Sequence, residues 1–245
     1  MTPDLETALA EIDRVFAGST CDADNVCSHC YSNEARSPLA LPGAPIDPEV
    51  LASWTYKSPF MVDDHAALVR RILPQMARGM ADGAVHVFWA AQHALVRGDW
   101  RDWPRWQKDP IQRFIDAWWQ DLVRNPEPNH SVTDAFEQYA AIVGLEAALA
   151  AWPDDDVADA HLVAVDEWWV QDLLVDENPF GWLGDLHDEQ QLVVTAQRWY
   201  LDVGVGKLRR AGAVELAEKA SLLAHPSWED RVSQVGGNQH QAAED

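Results

Sequence analysis

Apolar residues recur along most of this chain at the three- and four-residue spacing of an α-helix, whereas alternating runs of β-branched residues are scarce. One face of a helix predicted over residues 4–17 carries four of them: Leu5, Leu9, Ile12 and Phe16. A strand points alternate side chains to one side, whereas a helix repeats every three to four residues, so this periodicity favours helix-on-helix packing. The sequence therefore predicts an all-α fold.

Six further helices are predicted, over residues 63–80, 85–96, 110–123, 133–152, 157–175 and 187–208. Two of these helices each contain two adjacent tryptophans, Trp118-Trp119 in one and Trp168-Trp169 in the other, fifty residues later. The helices that follow these two also match each other loosely. A two-helix unit that recurs at about 47 to 50 residues is typical of HEAT-like repeats. The predicted architecture is a HEAT-like α-solenoid of helical hairpins, with Trp118 and Trp168 in equivalent places within successive hairpins. Because amphipathic helices share Leu, Ala and Trp for packing reasons alone, an irregular helical bundle is the alternative.

The chain is predicted to have three parts. Residues 1–45 form an N-terminal helix and a Cys-rich segment, ending in a connector with four prolines between residues 37 and 48. Residues 46–232 form the helical-repeat body. Residues 233–245 are polar and aperiodic, which predicts a flexible tail.

The strongest constraint on a partner is a long segment without cations. No Lys or Arg occurs between Arg124 and Arg198, yet this segment carries sixteen Asp and Glu residues, and the whole chain has a formal net charge of −22. Such a region repels phosphates and anionic membranes. We therefore predict a basic protein as the partner, and we predict no binding to nucleic acid or to membranes. Eight acids are expected to be mostly exposed on one side: Asp134, Glu137, Asp154, Asp156, Asp166, Glu167, Asp172 and Glu189.

The start of the chain is acidic and lacks the basic and apolar regions of a signal peptide. No apolar run reaches the roughly 18 residues that suggest a membrane span. All three cysteines lie within ten residues, which is not a secreted disulfide framework. We therefore expect a cytoplasmic protein.

The cysteines are Cys21, Cys27 and Cys30, the last two separated by Ser28 and His29. A Cys-x-x-Cys turn brings two thiolates together as zinc knuckles do, and Cys21 could supply a third ligand. The predicted structural zinc site takes its fourth ligand from His29 or His65, with Asp22 or Asp24 as further candidates. Three inert thiols, or a redox dithiol of Cys27 and Cys30, are the alternatives.

Two short motifs of this region are similar to those of a group of bacterial proteins whose activity is uncharacterised. The motifs are Cys27-Ser28-His29-Cys30-Tyr31 and, after a Pro-containing spacer, Ile72-Leu73-Pro74 in a helix. The resemblance covers about the first third of the chain. It implies no activity.

Two other patterns have competing interpretations. Asp155, Asp156 and Asp159 fit the Asp-Asp-x-x-Asp motif that holds Mg²⁺ in isoprenoid enzymes, but they follow Pro153, where acids cap a helix. Diphosphate chemistry also needs cations that this region lacks, so capping is predicted. His86 and His93 lie on one helical face and, with His65, could form an acid/base or metal site.

These observations lead to two functional hypotheses of different kinds. The first is a non-catalytic protein-binding or adaptor protein with an acidic surface directed at a basic partner; an inhibitor or immunity protein is a specialised form of it. The alternative is an all-helical metal-dependent enzyme with its site near His65, His86 and His93.

Overall fold

The computed structural model describes residues 1–56, 61–84, 93–184 and 188–241. Helix makes up 72% of the structure, and within these ranges there is no strand, only an isolated antiparallel bridge between Val26 and Val62. The all-α prediction is confirmed. None of the helices described combines the length and the hydropathy that crossing a bilayer would require. The chain divides into two compact units, Met1–Leu122 (unit 1) and Val123–Asp245 (unit 2).

In unit 1 the first helix of the chain packs against the 17-residue helix His65–Ala81. Its helices are α1 (Pro3–Phe16), α2 (Asn33–Arg36), α3 (Pro48–Tyr56), α4 (His65–Ala81) and α5 (Arg105–Val123), whose last residue belongs to unit 2. α1 packs on α4, and the four apolar residues predicted for its face are all buried. Asp64 begins α4 by accepting a hydrogen bond from the N–H of Ala67 at 2.8 Å, which satisfies a donor that the first turn leaves open.

The Pro-rich connector is held on α4 by side-chain hydrogen bonds. Arg71 donates to the carbonyl oxygens of Pro38 and Ala44 at 2.8 and 2.6 Å. Gln75 accepts from the N–H of Ile46 at 3.0 Å and donates to the carbonyl of the same residue. The predicted boundary after residue 45 thus lies inside unit 1, and the division into appendage, body and tail stays a prediction.

Unit 2 has an aromatic core surrounded by helices of four to nineteen residues. They are α6 (Val132–Val143), α7 (Leu145–Ala150), α8 (Asp156–Leu174), α9 (Gly181–Gly184), α10 (Glu189–Trp199), α11 (Val205–Arg210), α12 (Val214–Ser221) and α13 (Trp228–Gln241), and a π-helix, Tyr200–Gly204, joins α10 to α11. α8 packs against α11 and α12, and α7 packs against α6 and α10. In the core, the ring of Phe136 lies 5.0 Å from that of Trp169 and 5.5 Å from that of Trp152.

The helix predicted over residues 133–152 is two helices. α6 ends at Val143 and α7 begins at Leu145, because Gly144 between them has φ +96° and ψ 146°. Only glycine adopts this backbone conformation without strain. The helix predicted to start at Pro110 instead begins at Arg105 and contains Pro110 in its second turn.

The two tryptophans expected to be equivalent lie in different environments. Trp118 is 2% exposed, whereas Trp168 is 75% exposed. Their neighbours Trp119 and Trp169 are both buried. Trp118 and Trp168 therefore differ in burial, and the repeat that would make them equivalent stays a prediction.

Candidate functional site

The Cys-rich segment forms a turn fixed to the residues that precede α4. Cys27 accepts backbone hydrogen bonds at its carbonyl oxygen from Cys30 at 3.3 Å and from Tyr31 at 3.2 Å. The N–H of Cys27 donates to the carbonyl of Met61 at 3.0 Å. These contacts, with the adjacent bridge of Val26 and Val62, bring the turn beside the segment that leads to His65.

The sulfur of Cys27 lies among hydrogen-bond donors. The N–H of Cys30, the Cys30 thiol and the N–H of His29 all donate toward it, and together they lower the pKa of the Cys27 thiol. Cys27 is partly exposed and Cys30 is exposed. The turn therefore favours a thiolate on Cys27 with a second sulfur beside it.

Cys21 has different surroundings. It is 2% exposed, its sulfur accepts a hydrogen bond from Asn25 Nδ2 at 3.5 Å, and its thiol donates to the carbonyl of Asp22 at 3.5 Å. Burial raises the pKa of this thiol, so Cys21 is a neutral thiol at physiological pH.

The predicted zinc ligands are therefore only partly brought together. Among the described residues, which include Cys21, Cys27, Cys30, His29 and His65, no group of three or more His, Cys, Asp or Glu side chains could hold a metal ion. Cys27 and Cys30 fit the soft half of a zinc site, whereas Cys21 has a neutral thiol with hydrogen-bond partners of its own. The zinc site stays a prediction.

The histidine site of the alternative hypothesis is described only in part. His86 lies outside the described residues. His93 is partly buried, and burial lowers its pKa, with a further contribution from Arg97. The metal-dependent enzyme likewise stays a prediction.

The acidic segment between Arg124 and Arg198 is partly neutralised by cations of unit 2 that lie outside this segment. Lys207 and Arg210 both bind Asp154 and Asp159, with nitrogen–oxygen distances of 2.6 to 3.4 Å. Arg231 binds Asp176 at 2.7 Å, and Arg124 binds Asp155 at 3.1 Å. Asp155 also caps α8 by accepting from the N–H of Ala158 at 2.9 Å, so the capping prediction is confirmed.

The eight acids expected to be exposed on one side differ in burial. Three are exposed, namely Asp154, Asp156 and Glu189, and three are partly buried, namely Asp134, Glu137 and Asp172. The prediction is wrong for Asp166, which is fully buried and accepts a hydrogen bond from the Tyr200 hydroxyl. Burial raises the pKa of Asp166 well above its ordinary value. The side chain of Glu167 lies outside the described part.

The uncompensated acids include two at the edge of a groove between α7 and α10, about 570 Å³ in volume. Glu146 and Asp188 line it and are exposed, and Glu189 follows Asp188 at the start of α10. The remaining lining residues are uncharged, mostly small or apolar, and include Val143, Leu145 and Leu192. No single sequence pattern indicates this groove, because it needs the break at Gly144 to turn α7 away from α6.

Unit 2 also contains functional candidates that sequence reasoning missed. Asp159 and Asp166 lie seven residues apart on α8. Asp159 binds Lys207 and Asp166 binds Tyr200, and these two partners also lie seven residues apart in the chain. This shared spacing of seven was the available signal, and the acid-rich composition obscured it. Comparison of the chain with family models, with curated proteins and with solved structures found no match.

Proposed function

We propose that this chain is a non-catalytic protein-binding or adaptor protein whose unit 2 engages a basic protein partner. The observation that carries the proposal is the groove between α7 and α10, with an apolar floor, acidic side chains at its edge and no cation among its lining residues. An inhibitor or immunity protein for a cationic enzyme is one form of this function. A repeat of helical hairpins, in which Trp118 and Trp119 correspond to Trp168 and Trp169, is part of the same proposal.

The charge of unit 2 supports this choice of partner. Unit 2 has 23 acidic and seven basic residues, a formal charge of −16 out of −22 for the chain. Four of its seven cations form ion pairs with carboxylates of the same unit. Unit 2 therefore keeps a large excess of negative charge, which attracts a basic protein and repels nucleic acid and anionic membranes.

The groove adds local direction to that charge. A partner segment that places Lys or Arg near Glu146 and Asp188, with an apolar side chain near Leu192, would complement both the floor and the edge. Apolar burial would supply affinity, and the charges would supply association rate and specificity.

The test begins with affinity purification of the full chain from its own organism, followed by mass spectrometry to name a basic partner. Association rates with that partner are then measured for wild type and for Glu146→Gln with Glu189→Gln, at low and at high salt. Asp188 is left unchanged because its side chain caps α10 by accepting from the N–H of Gln191 at 3.1 Å. We expect the double variant to associate several-fold more slowly at low salt and nearly normally at high salt.

The matched control is Glu218→Gln with Glu229→Gln, which removes two exposed carboxylates from the same unit but none from the groove. If the control slows association as much as the test variant, net charge rather than the groove attracts the partner. Association rates that do not respond to ionic strength in any of these proteins would contradict the proposed function.

A further inference from the structure

We propose that Cys27 and Cys30 are a redox-active dithiol that exchanges with low-molecular-weight disulfides and closes into an intramolecular disulfide. The site lies in unit 1 and is separate from the proposed binding groove. Two sulfurs lie in one exposed turn, and the third cysteine is directed to other partners.

The backbone already has the spacing that a disulfide requires. The hydrogen bond from the N–H of Cys30 to the carbonyl of Cys27 closes a four-residue turn, in which the first and last Cα atoms are less than about 7 Å apart. A disulfide needs Cα atoms about 4.4–6.8 Å apart. Because Cys27 and Cys30 already share one hydrogen-bonded turn, oxidation requires no large movement of the backbone.

The turn is also anchored on both sides. Before it, the N–H of Cys27 is bound to the carbonyl of Met61. After it, Tyr31 is buried, its ring lies 6.0 Å from that of Trp54, and its hydroxyl is 2.8 Å from Ser53 Oγ. Because both ends are fixed, the two sulfurs stay adjacent, which raises the effective concentration of one thiol at the other.

The surroundings assign different roles to the cysteines. Cys27 is the nucleophile, because it is the first residue of the Cys-x-x-Cys turn, the position followed by the turn's backbone N–H groups and by a second cysteine. Cys30 is exposed and is the resolving thiol. Cys21 takes no part, since its thiol is buried and hydrogen-bonded to Asn25 and Asp22.

The reaction consists of two thiol–disulfide exchanges. The Cys27 thiolate attacks one sulfur of a low-molecular-weight disulfide, forming a mixed disulfide and releasing one thiolate. The Cys30 thiol loses its proton to solvent and attacks the Cys27 sulfur, which releases the second thiolate. The dithiol is oxidised by two electrons, and the external disulfide is reduced to two thiols.

The experiment uses the full chain, glutathione with glutathione disulfide as the redox buffer, and iodoacetamide to block the remaining thiols. Mass spectrometry of the intact chain and of its peptides should find a Cys27–Cys30 disulfide and an alkylated Cys21. Cys30→Ser should stop at a mixed disulfide of glutathione with Cys27. Cys21→Ser, the matched control, should form the Cys27–Cys30 disulfide at the same ratio of glutathione disulfide to glutathione as wild type.

Three outcomes would overturn the proposal: a disulfide that includes Cys21, failure of Cys30→Ser to accumulate the mixed disulfide at Cys27, or one zinc ion per purified chain that protects both thiols until a chelator removes it. Where a variant fails to fold, the wild-type chain still decides the matter through its alkylation rates. Cys27 should react fastest and Cys21 slowest, and any other order contradicts the assignment of roles.

Discussion

Lys207 and Asp159 form an ion pair inside unit 2, with 3.4 Å between Lys207 Nζ and Asp159 Oδ1 and with side chains that are 2% and 1% exposed. Lys207 also donates to the carbonyl of Pro153 and to Asp154 Oδ1, each at 2.7 Å. The other oxygen of Asp159 accepts from Arg210 Nε at 3.0 Å. Such complete pairing is what allows a charged side chain to be buried, because an unpaired ion there would lose its hydration without compensation.

Replacing Lys207 with Met should therefore lower the free energy of unfolding by about 3 kcal/mol, since it leaves buried carboxylate charge with less compensation. Urea denaturation at pH 7 measures the loss. The control is Arg209→Met on the same helix, an exposed position where a change within about 0.5 kcal/mol is expected. Equal stability of the two variants would show that Lys207 does not hold the interior charge.

The local features of this structure could be predicted from sequence. The buried face of α1 follows from apolar spacing, and the start of α8 follows from acids after Pro153, because both depend on neighbours within one or two helical turns. The spacing of Cys27 and Cys30 likewise predicted two adjacent sulfurs. In each case, the decisive contacts lie within a few residues of each other in the chain.

The features that sequence did not predict depend on distant partners. The acids of the cation-free segment meet Lys207 and Arg210, about fifty residues further along, and no pattern within the acidic segment itself indicates that pairing. Asp166 was grouped with the surface acids because it lies in the same acid-rich segment. Only its contact with Tyr200 in the structure shows that it is interior. Trp168 and Trp169 point about 100° apart around α8, so one can be buried and the other exposed. Which of the two faces the core depends on how α8 is oriented in unit 2, and the sequence of α8 alone does not fix that.

Asp166 should make the stability of unit 2 depend on pH. Burial raises its pKa well above the ordinary value, so the folded protein keeps the proton that the unfolded chain releases above about pH 4. Between these two pKa values the unfolded state binds fewer protons, and stability therefore falls as pH rises. Asp166→Asn cannot ionise, so its stability relative to wild type should improve from pH 5 to pH 8, by up to about 1.4 kcal/mol per pH unit.

Urea denaturation at several pH values between 5 and 8 measures this difference. Asp202→Asn, which removes an exposed carboxyl from the π-helix, is the control and should keep a constant difference from wild type. A constant difference for Asp166→Asn as well would mean that Asp166 is ionised in the folded protein.

Gly144 should be difficult to replace, because its φ of +96° and ψ of 146° form a region that is nearly exclusive to glycine. Gly144→Ala is expected to lower the free energy of unfolding by about 1–3 kcal/mol. The control has the opposite sign: Gly206 lies in α11 with open space around the added Cβ, so Gly206→Ala should stabilise by about 0.4–1 kcal/mol. Thermal and urea denaturation measure both changes, and a stable Gly144→Ala would favour the continuous helix that the sequence predicts.

The two adjacent tryptophans of α8 should respond in opposite ways to truncation. The ring of Trp169 lies 5.0 Å from those of Phe136 and Phe180, and the residue is 2% exposed, so Trp169→Ala should cost about 3–5 kcal/mol. Trp168 is 75% exposed, and Trp168→Ala should change stability by less than about 0.5 kcal/mol.

Urea denaturation followed by circular dichroism measures both tryptophan variants without relying on the fluorescence of the removed side chain. The same comparison for Trp118→Ala tests the proposed repeat, because Trp118 is 2% exposed and its loss should be as costly as that of Trp169. If Trp168→Ala were as costly as Trp118→Ala, the two residues would share an interior environment, as equivalent positions of a hairpin repeat do. If Trp118→Ala is costly and Trp168→Ala is not, the fifty-residue spacing matches a buried position with an exposed one, which would count against the repeat.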